Sequence, residues 1–153
     1  INFLLRSARE QRNIVYSFIS YLKIAPVKLQ IKVVTKRADM NRQVIAVCGD
    51  GSFQMSMYEL GTIAVNKIPI KILVMRNHYL GLVREHQEKT YEEHYFGVQL
   101  YDYPKYAEIA AAYDMDYFHC DSNETLDAEL NRFLACDNAC IMVCEVDSHN
   151  NTK

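Results

Sequence analysis

The chain has 153 residues, enough for one domain with its own core, and its 50% hydrophobic and 24% charged composition is that of an ordinary globular protein. A net charge of −2 gives no general attraction to nucleic acid or anionic membrane, and no apolar run approaches the ~20 residues needed to cross a bilayer. The charge is unevenly spread: residues 1–48 carry nine Lys or Arg against Glu10 and Asp39, and all five glycines lie at or after position 49.

The glycine-free basic stretch comes first. Residues 14–22, preceded by Arg6, Arg9 and Arg12, imitate an export signal but lack a small-residue cleavage site, so a cytoplasmic location is expected. Gln43 to Cys48 is β-branched and apolar and predicts a buried strand. It ends on Gly49-Asp50-Gly51, after which Phe53 to Asn66 places Met55, Leu60, Ile63 and Ala64 at helical intervals. Pro69 stops that helix and Ile70 to Met75 is a second buried strand. A helix is expected over 80–94, then a loop through Gly97 and Tyr103.

Pro104 opens "PKYAEIAAAYDM", a further helix with Ala107, Ala110 and Ala111 along it. Tyr117 to Cys120 predicts a short strand, Ser122 a cap for a helix over 124–136, and Ala139 to Val146 a third long apolar strand. Continuous apolar strands separated by amphipathic helices imply an α/β fold, a doubly wound parallel sheet with helices on both faces. The five cysteines lack paired metal-ligand spacing and are expected as reduced thiols.

In such a sheet, ligands bind outside the carboxyl ends of the strands. Glycines there let backbone approach a ligand, and a helix N-terminus favours phosphate. Asp50 repels phosphate unless a cation lies between them, so the pattern fits a Mg2+ that bridges the carboxylate to diphosphate oxygens. A second oxygen donor is needed at a neighbouring strand end. Asn77, 27 residues beyond Asp50 and just after the second strand, meets that need.

Gly49-Asp50-Gly51 followed at this interval by Asn77 resembles the thiamine diphosphate and Mg2+ motif of the thiamine-dependent enzymes. The strings "GDGSFQMSMYEL", "KIPIKILVMRNHYLGLVREHQ" and "YPKYAEIAAAYDM" resemble the C-terminal cofactor domain of the acetolactate synthase catalytic subunit, from about Ala38 to Val146. The resemblance implies a thiamine diphosphate-binding fold, incomplete on its N-terminal side. It implies Mg2+ bound by Asp50, the Asn77 side chain and the Tyr79 carbonyl. Gly49, Gly51, Ser52 and Gly81 would meet the diphosphate, with Leu82 near the thiazolium.

It further implies pyruvate and a second 2-keto acid as substrates of the intact enzyme, carboligation for branched-chain amino-acid synthesis, and a pyrimidine-binding domain from a partner subunit. Other thiamine-dependent carboligases, decarboxylases or oxidases stay open, as do a non-catalytic Mg2+-binding module and a defective gene fragment. Arg76, Leu82 and His86 stand where the family usually has asparagine, methionine and tryptophan, and Asp114 where it has glycine. Residues 1–37 lack the family's glycine-rich segment, so the expected division is a basic segment 1–37 and a cofactor domain 38–153. Translation from a shifted reading frame, or joining of a foreign stretch, would account for that segment. Since the pyrimidine-binding domain is absent from this sequence, no turnover is expected from the chain alone.

The histidines His78, His86 and His94 recur every eight residues, which makes no zinc pair, and are expected at the surface or rim. Tyr91, Tyr95, Tyr101, Tyr103 and Tyr106 are expected to be packing or interface groups, and Glu92-Glu93 a solvated helix face.

Overall fold

The computed structural model describes residues 14–16, 27–39 and 41–148. Residues 17–22 of the signal-like stretch and most of the basic segment 1–37 therefore lie outside the described residues, as do 149–153.

Among the described residues, five strands form one parallel sheet: β1 (Ile14–Tyr16), β2 (Gln43–Gly49), β3 (Lys71–Arg76), β4 (Asp116–Cys120) and β5 (Cys140–Glu145), in the order β1-β2-β3-β5-β4. Among the described residues six helices accompany them: α1 (Val27–Ala38), α2 (Asp50–Gln54), α3 (Glu59–Val65), α4 (Gly81–Thr90), α5 (Tyr106–Ala112) and α6 (Asn123–Ala135). The expected doubly wound α/β architecture is the one observed.

Alternation along the central strands divides the core in two. Val44, Ala46, Ile72, Val74, Ile141 and Val143 pack against Val33 of α1, Phe53 of α2, Leu60 and Ile63 of α3, and Tyr106 and Ala110 of α5. Ile45, Leu73, Cys140, Met142 and Cys144 face the other way, onto Leu130 and Phe133 of α6. A physical reason lies in the strand order. The path from β1 to β4 advances across the sheet, whereas β4 to β5 steps back, and a parallel crossover of fixed hand then places its helix on the opposite face.

Two helices end differently from the sequence expectation. The helix expected over 53–66 is split into α2 and α3 by a turn at 55–58. Ser56 donates its hydroxyl back to the Ser52 carbonyl at 2.8 Å, and the N–H groups of Ser56, Glu59 and Leu60 donate three residues back, which tightens the chain. The helix expected to reach His94 stops at Thr90, because Glu92 and Glu93 both adopt left-handed φ (49° and 63°) and Gln87 takes over the backbone N–H and carbonyl of Phe96. Ser122 does stand at the N-cap of α6, but its hydroxyl pairs with Thr125 Oγ1 at 3.1 Å and not with a backbone N–H.

The described cysteines are all free thiols, and burial pushes Cys144 up to about 12. Among the described residues, no helix is long and apolar enough to cross a membrane.

Candidate functional site

β2 and β3 lie side by side with Gly49 opposite Met75, so their carboxyl ends emerge together. Asp50 is the first residue of α2, Gly49 its N-cap, and Asp50 is buried although it begins a helix at the sheet edge. Its Oδ2 accepts the His78 backbone N–H at 2.7 Å and its Oδ1 accepts the Gly51 N–H at 2.9 Å. Burial pushes the Asp50 carboxyl above its ordinary value, and these backbone donors oppose that rise. Among the described residues, no lysine or arginine forms an ion pair with it.

The turn after β3 carries Asn77, His78 and Tyr79. Asn77 Oδ1 accepts the Tyr79 N–H at 3.1 Å, and its Nδ2 lies where a Cβ on Gly81 would come within 3.2 Å. Residues 98–100 brace the turn, because Leu80 N–H donates to Val98 O and Leu100 N–H to His78 O, each at 2.8 Å. The Tyr79 ring lies under the Arg84 guanidinium, 4.7 Å from its centroid. The expected residues therefore share one end of the sheet: Asp50, Gly51 and Ser52 after β2, and Asn77, Tyr79 and Gly81 after β3. Leu82 sits in the first turn of α4 and is 74% exposed.

Two details differ from the expectation. A Cβ on Gly51 would meet Leu80 Cδ2 at 2.6 Å, so the missing side chain there makes room for a leucine of the facing loop, and the Gly51 N–H is taken up by Asp50. The close approach to which glycine is suited is here an approach between the two loops themselves.

Sequence reasoning missed the residues beside them. Glu145, ending β5, accepts a hydrogen bond from Arg76 Nη1 at 2.9 Å, and its oxygens lie 3.0 Å from His78 Nε2 and 3.3 Å from His119 Nε2. Burial works to raise the Glu145 carboxyl, but these partners hold it below its ordinary value. Its signal was the one that singled out Asp50: a carboxylate closing an apolar strand at the carboxyl edge. His78 is accordingly half-buried, while His86 and His94 are exposed. Nearby, Tyr106 packs on Phe53 with ring centroids 5.3 Å apart, and its buried hydroxyl has no partner among the described residues.

An open parallel α/β sheet whose paired loops gather a buried carboxylate, an amide and glycines defines a nucleotide- or cofactor-binding class of module. Residues 24–145 match the family model for the thiamine pyrophosphate enzyme, C-terminal TPP binding domain, and the chain belongs to that family. The match takes in residues 24–37 as well as those after Ala38.

Among curated proteins, the chain is 34% identical over 115 residues to the acetolactate synthase large subunit of Porphyra purpurea, covering 74% of this chain and 20% of that protein. It is 32% identical over 111 residues to the acetolactate synthase isozyme 2 large subunit of Escherichia coli (strain K12), covering 72% and 20%. With the acetolactate synthase of Arthrospira platensis it shares 39% over 89 residues, 58% and 15%. The chain thus spans about a fifth of the length of the first two relatives.

Among the described residues, no cluster of three or more His, Cys, Asp or Glu could hold a metal. The expected ligand set contains one carboxylate, one amide and one backbone carbonyl. It is a hard oxygen set of the kind that suits Mg2+ shared with phosphate.

Proposed function

We propose that this chain holds the diphosphate of thiamine diphosphate through Mg2+, as the C-terminal cofactor-binding part of an acetolactate synthase-like enzyme. Asp50, the Asn77 side chain and the Tyr79 carbonyl would ligate the ion. Gly49, Gly51, Ser52 and Gly81 would line the diphosphate, and Leu82 would border the thiazolium. The observation that carries the reading is the Asp50 carboxylate: buried, joined to the Asn77–Tyr79 turn at 2.7 Å, and paired with no basic side chain among the described residues. Burying a carboxylate without a counter-charge is costly, and a divalent cation beside it supplies one.

When bound, thiamine diphosphate supplies an electron sink for decarboxylation of a 2-keto acid such as pyruvate and its ligation to a second. This chain positions the diphosphate end. Activation of the aminopyrimidine would fall to a pyrimidine-binding domain of a partner subunit. Support for a partner comes from α4, which buries none of its residues and exposes Leu82, and from exposed Tyr91, Phe96, Tyr101 and Tyr103 in the segment that follows it. Alone, the chain is expected to bind cofactor without turnover, in the cytoplasm, in the service of branched-chain amino-acid synthesis.

Calorimetric titration of thiamine diphosphate, with and without Mg2+, into wild type and Asp50→Ala tests the reading. Mutually dependent binding, lost in the variant, is expected. Mg2+ binding indifferent to thiamine diphosphate would favour a non-catalytic cation-binding module instead.

A further inference from the structure

Glu145 gathers side chains from three separate segments at the carboxyl edge of the sheet. Arg76 closes β3, His119 belongs to β4, and His78 lies in the turn between β3 and α4. Arg76 and His78 flank Asn77, so both neighbours of the expected ligand are tied to one carboxylate. The backbone repeats the link, since Val146 N–H donates to the Arg76 carbonyl at 2.9 Å.

His78 holds the turn in an unfavourable shape. Its φ is +63°, a left-handed conformation that crowds the Cβ of any residue other than glycine against the backbone. Each ring nitrogen lies beside an acceptor, Nε2 3.0 Å from Glu145 Oε2 and Nδ1 2.9 Å from the Tyr101 carbonyl, so the ring is held between the two. The N–H that this conformation presents is the one that Asp50 Oδ2 accepts.

The network is not an ordinary surface pairing. The Arg76 and Glu145 side chains are 16% and 24% exposed, which protects their attraction from screening. The outer carboxylate, Asp102, is 82% exposed and lies farther off, 3.5 Å from Arg76 Nη2 and 3.9 Å from His78 Nδ1. Without Glu145, Asp102 would be the nearest remaining carboxylate for both groups, and it lies toward solvent.

We propose that Glu145 is a positioning residue: through His78 and Arg76 it sets the Asn77–Tyr79 turn against Asp50, so that donors from two strand tips face one ion. This inference rests on the cofactor reading above. Partners of ligating groups characteristically change metal affinity by about 10- to 100-fold when removed.

The test uses the full chain with Glu145→Ala and the near-isosteric Glu145→Gln, the latter guarding against misfolding. Backbone amide NMR without ligand should show the Asn77, His78 and Tyr79 signals displaced in the alanine variant while β2 signals such as Ile45 stay in place. Titration of thiamine diphosphate with Mg2+ should then give binding at least about tenfold weaker than wild type, with the glutamine variant between the two. If the three amides and the affinity both stay at wild-type values, the positioning role is overturned while the cofactor reading stands. If the amides move but even wild type fails to bind thiamine diphosphate with Mg2+, the cofactor reading falls and the hold of Glu145 on the turn remains.

Discussion

The side chain of Asp50 accepts the backbone N–H of His78 at 2.7 Å, so the tips of β2 and β3 are joined through the group proposed to ligate the ion. Structural and ligating duties therefore meet in one carboxylate, and substitution can separate them. Asn at this position keeps an oxygen that can accept the His78 N–H, whereas Ala leaves the N–H groups of His78 and Gly51 without that acceptor. Asp50→Asn is expected to lose no more than about 1 kcal/mol of stability and Asp50→Ala about 1–3 kcal/mol. Both should lose thiamine diphosphate binding in the presence of Mg2+. Urea midpoints and calorimetry on the two variants check this, and tight binding by the asparagine variant would remove the carboxylate from the ligand set.

Gly51 and Leu80 make a second contact between the same loops. A Cβ on Gly51 falls 2.6 Å from Leu80 Cδ2 and 3.6 Å from Leu100 Cδ1. Because the obstructing atom is the end of a half-buried leucine side chain, Gly51→Ala is expected to cost no more than about 1 kcal/mol through overpacking, and part of that cost should vanish when Leu80 is shortened to Ala. A double-mutant cycle measured by denaturant unfolding reads the coupling. Strictly additive losses would mean that the two loops do not press on each other there.

Two helix ends lack the glycine that their geometry favours. After α5, Asp114 has φ +53°, its N–H donates to Ala111 O at 3.2 Å, and Met115 N–H donates to Ala110 O at 2.9 Å. After α3, Lys67 has φ +47° and donates to Ala64 O at 3.1 Å, with Ile68 donating to Ile63 O at 3.0 Å. Each is a Schellman turn with its left-handed position filled by a residue bearing a Cβ. Relief of roughly 1–2 kcal/mol of conformational cost, less about 0.5–1 kcal/mol for the added freedom of the unfolded chain, leaves a net gain of about 0.5–1 kcal/mol. Asp114→Gly and Lys67→Gly should each raise the thermal midpoint, and a fall in both would contradict this account.

Of these two positions the sequence betrayed only Asp114, which stood where a family glycine was expected; Lys67 carried no such mark. The strands were readable because each is an unbroken apolar run, and Asp50 and Asn77 because they interrupt such runs at the edge where ligands bind. Helix breaks were not readable, since the bonds of Ser56 to Ser52 and of Gln87 to Phe96 are choices among local partners that periodicity does not encode. Glu145 escaped notice for another reason. Its partners Arg76, His78 and His119 are dispersed in sequence and meet only because β5 inserts between β3 and β4.

The basic α1 offers a pH-dependent test. Lys36 is 4% exposed, near Lys71 at the start of β3, and its Nζ donates to the Arg42 carbonyl at 2.5 Å. Burial lowers the Lys36 ammonium below the ordinary lysine value of 10.5, Lys71 adds to that, and Asp39 opposes it. The unfolded chain thus binds this proton more tightly than the folded one. Below the folded value both states are charged and folding bears the whole penalty; as pH climbs from there toward 10.5 the folded state gives up its proton first, and stability rises. Lys36→Met, which fills similar volume without a charge, should be more stable than wild type at neutral pH, and its advantage should shrink as pH approaches 10.5. Denaturant midpoints of both chains across pH 7–10.5 measure the difference directly. A gap that stays constant over that range would show that the ammonium is solvated in the folded protein, and with it that α1 does not press this face onto the sheet.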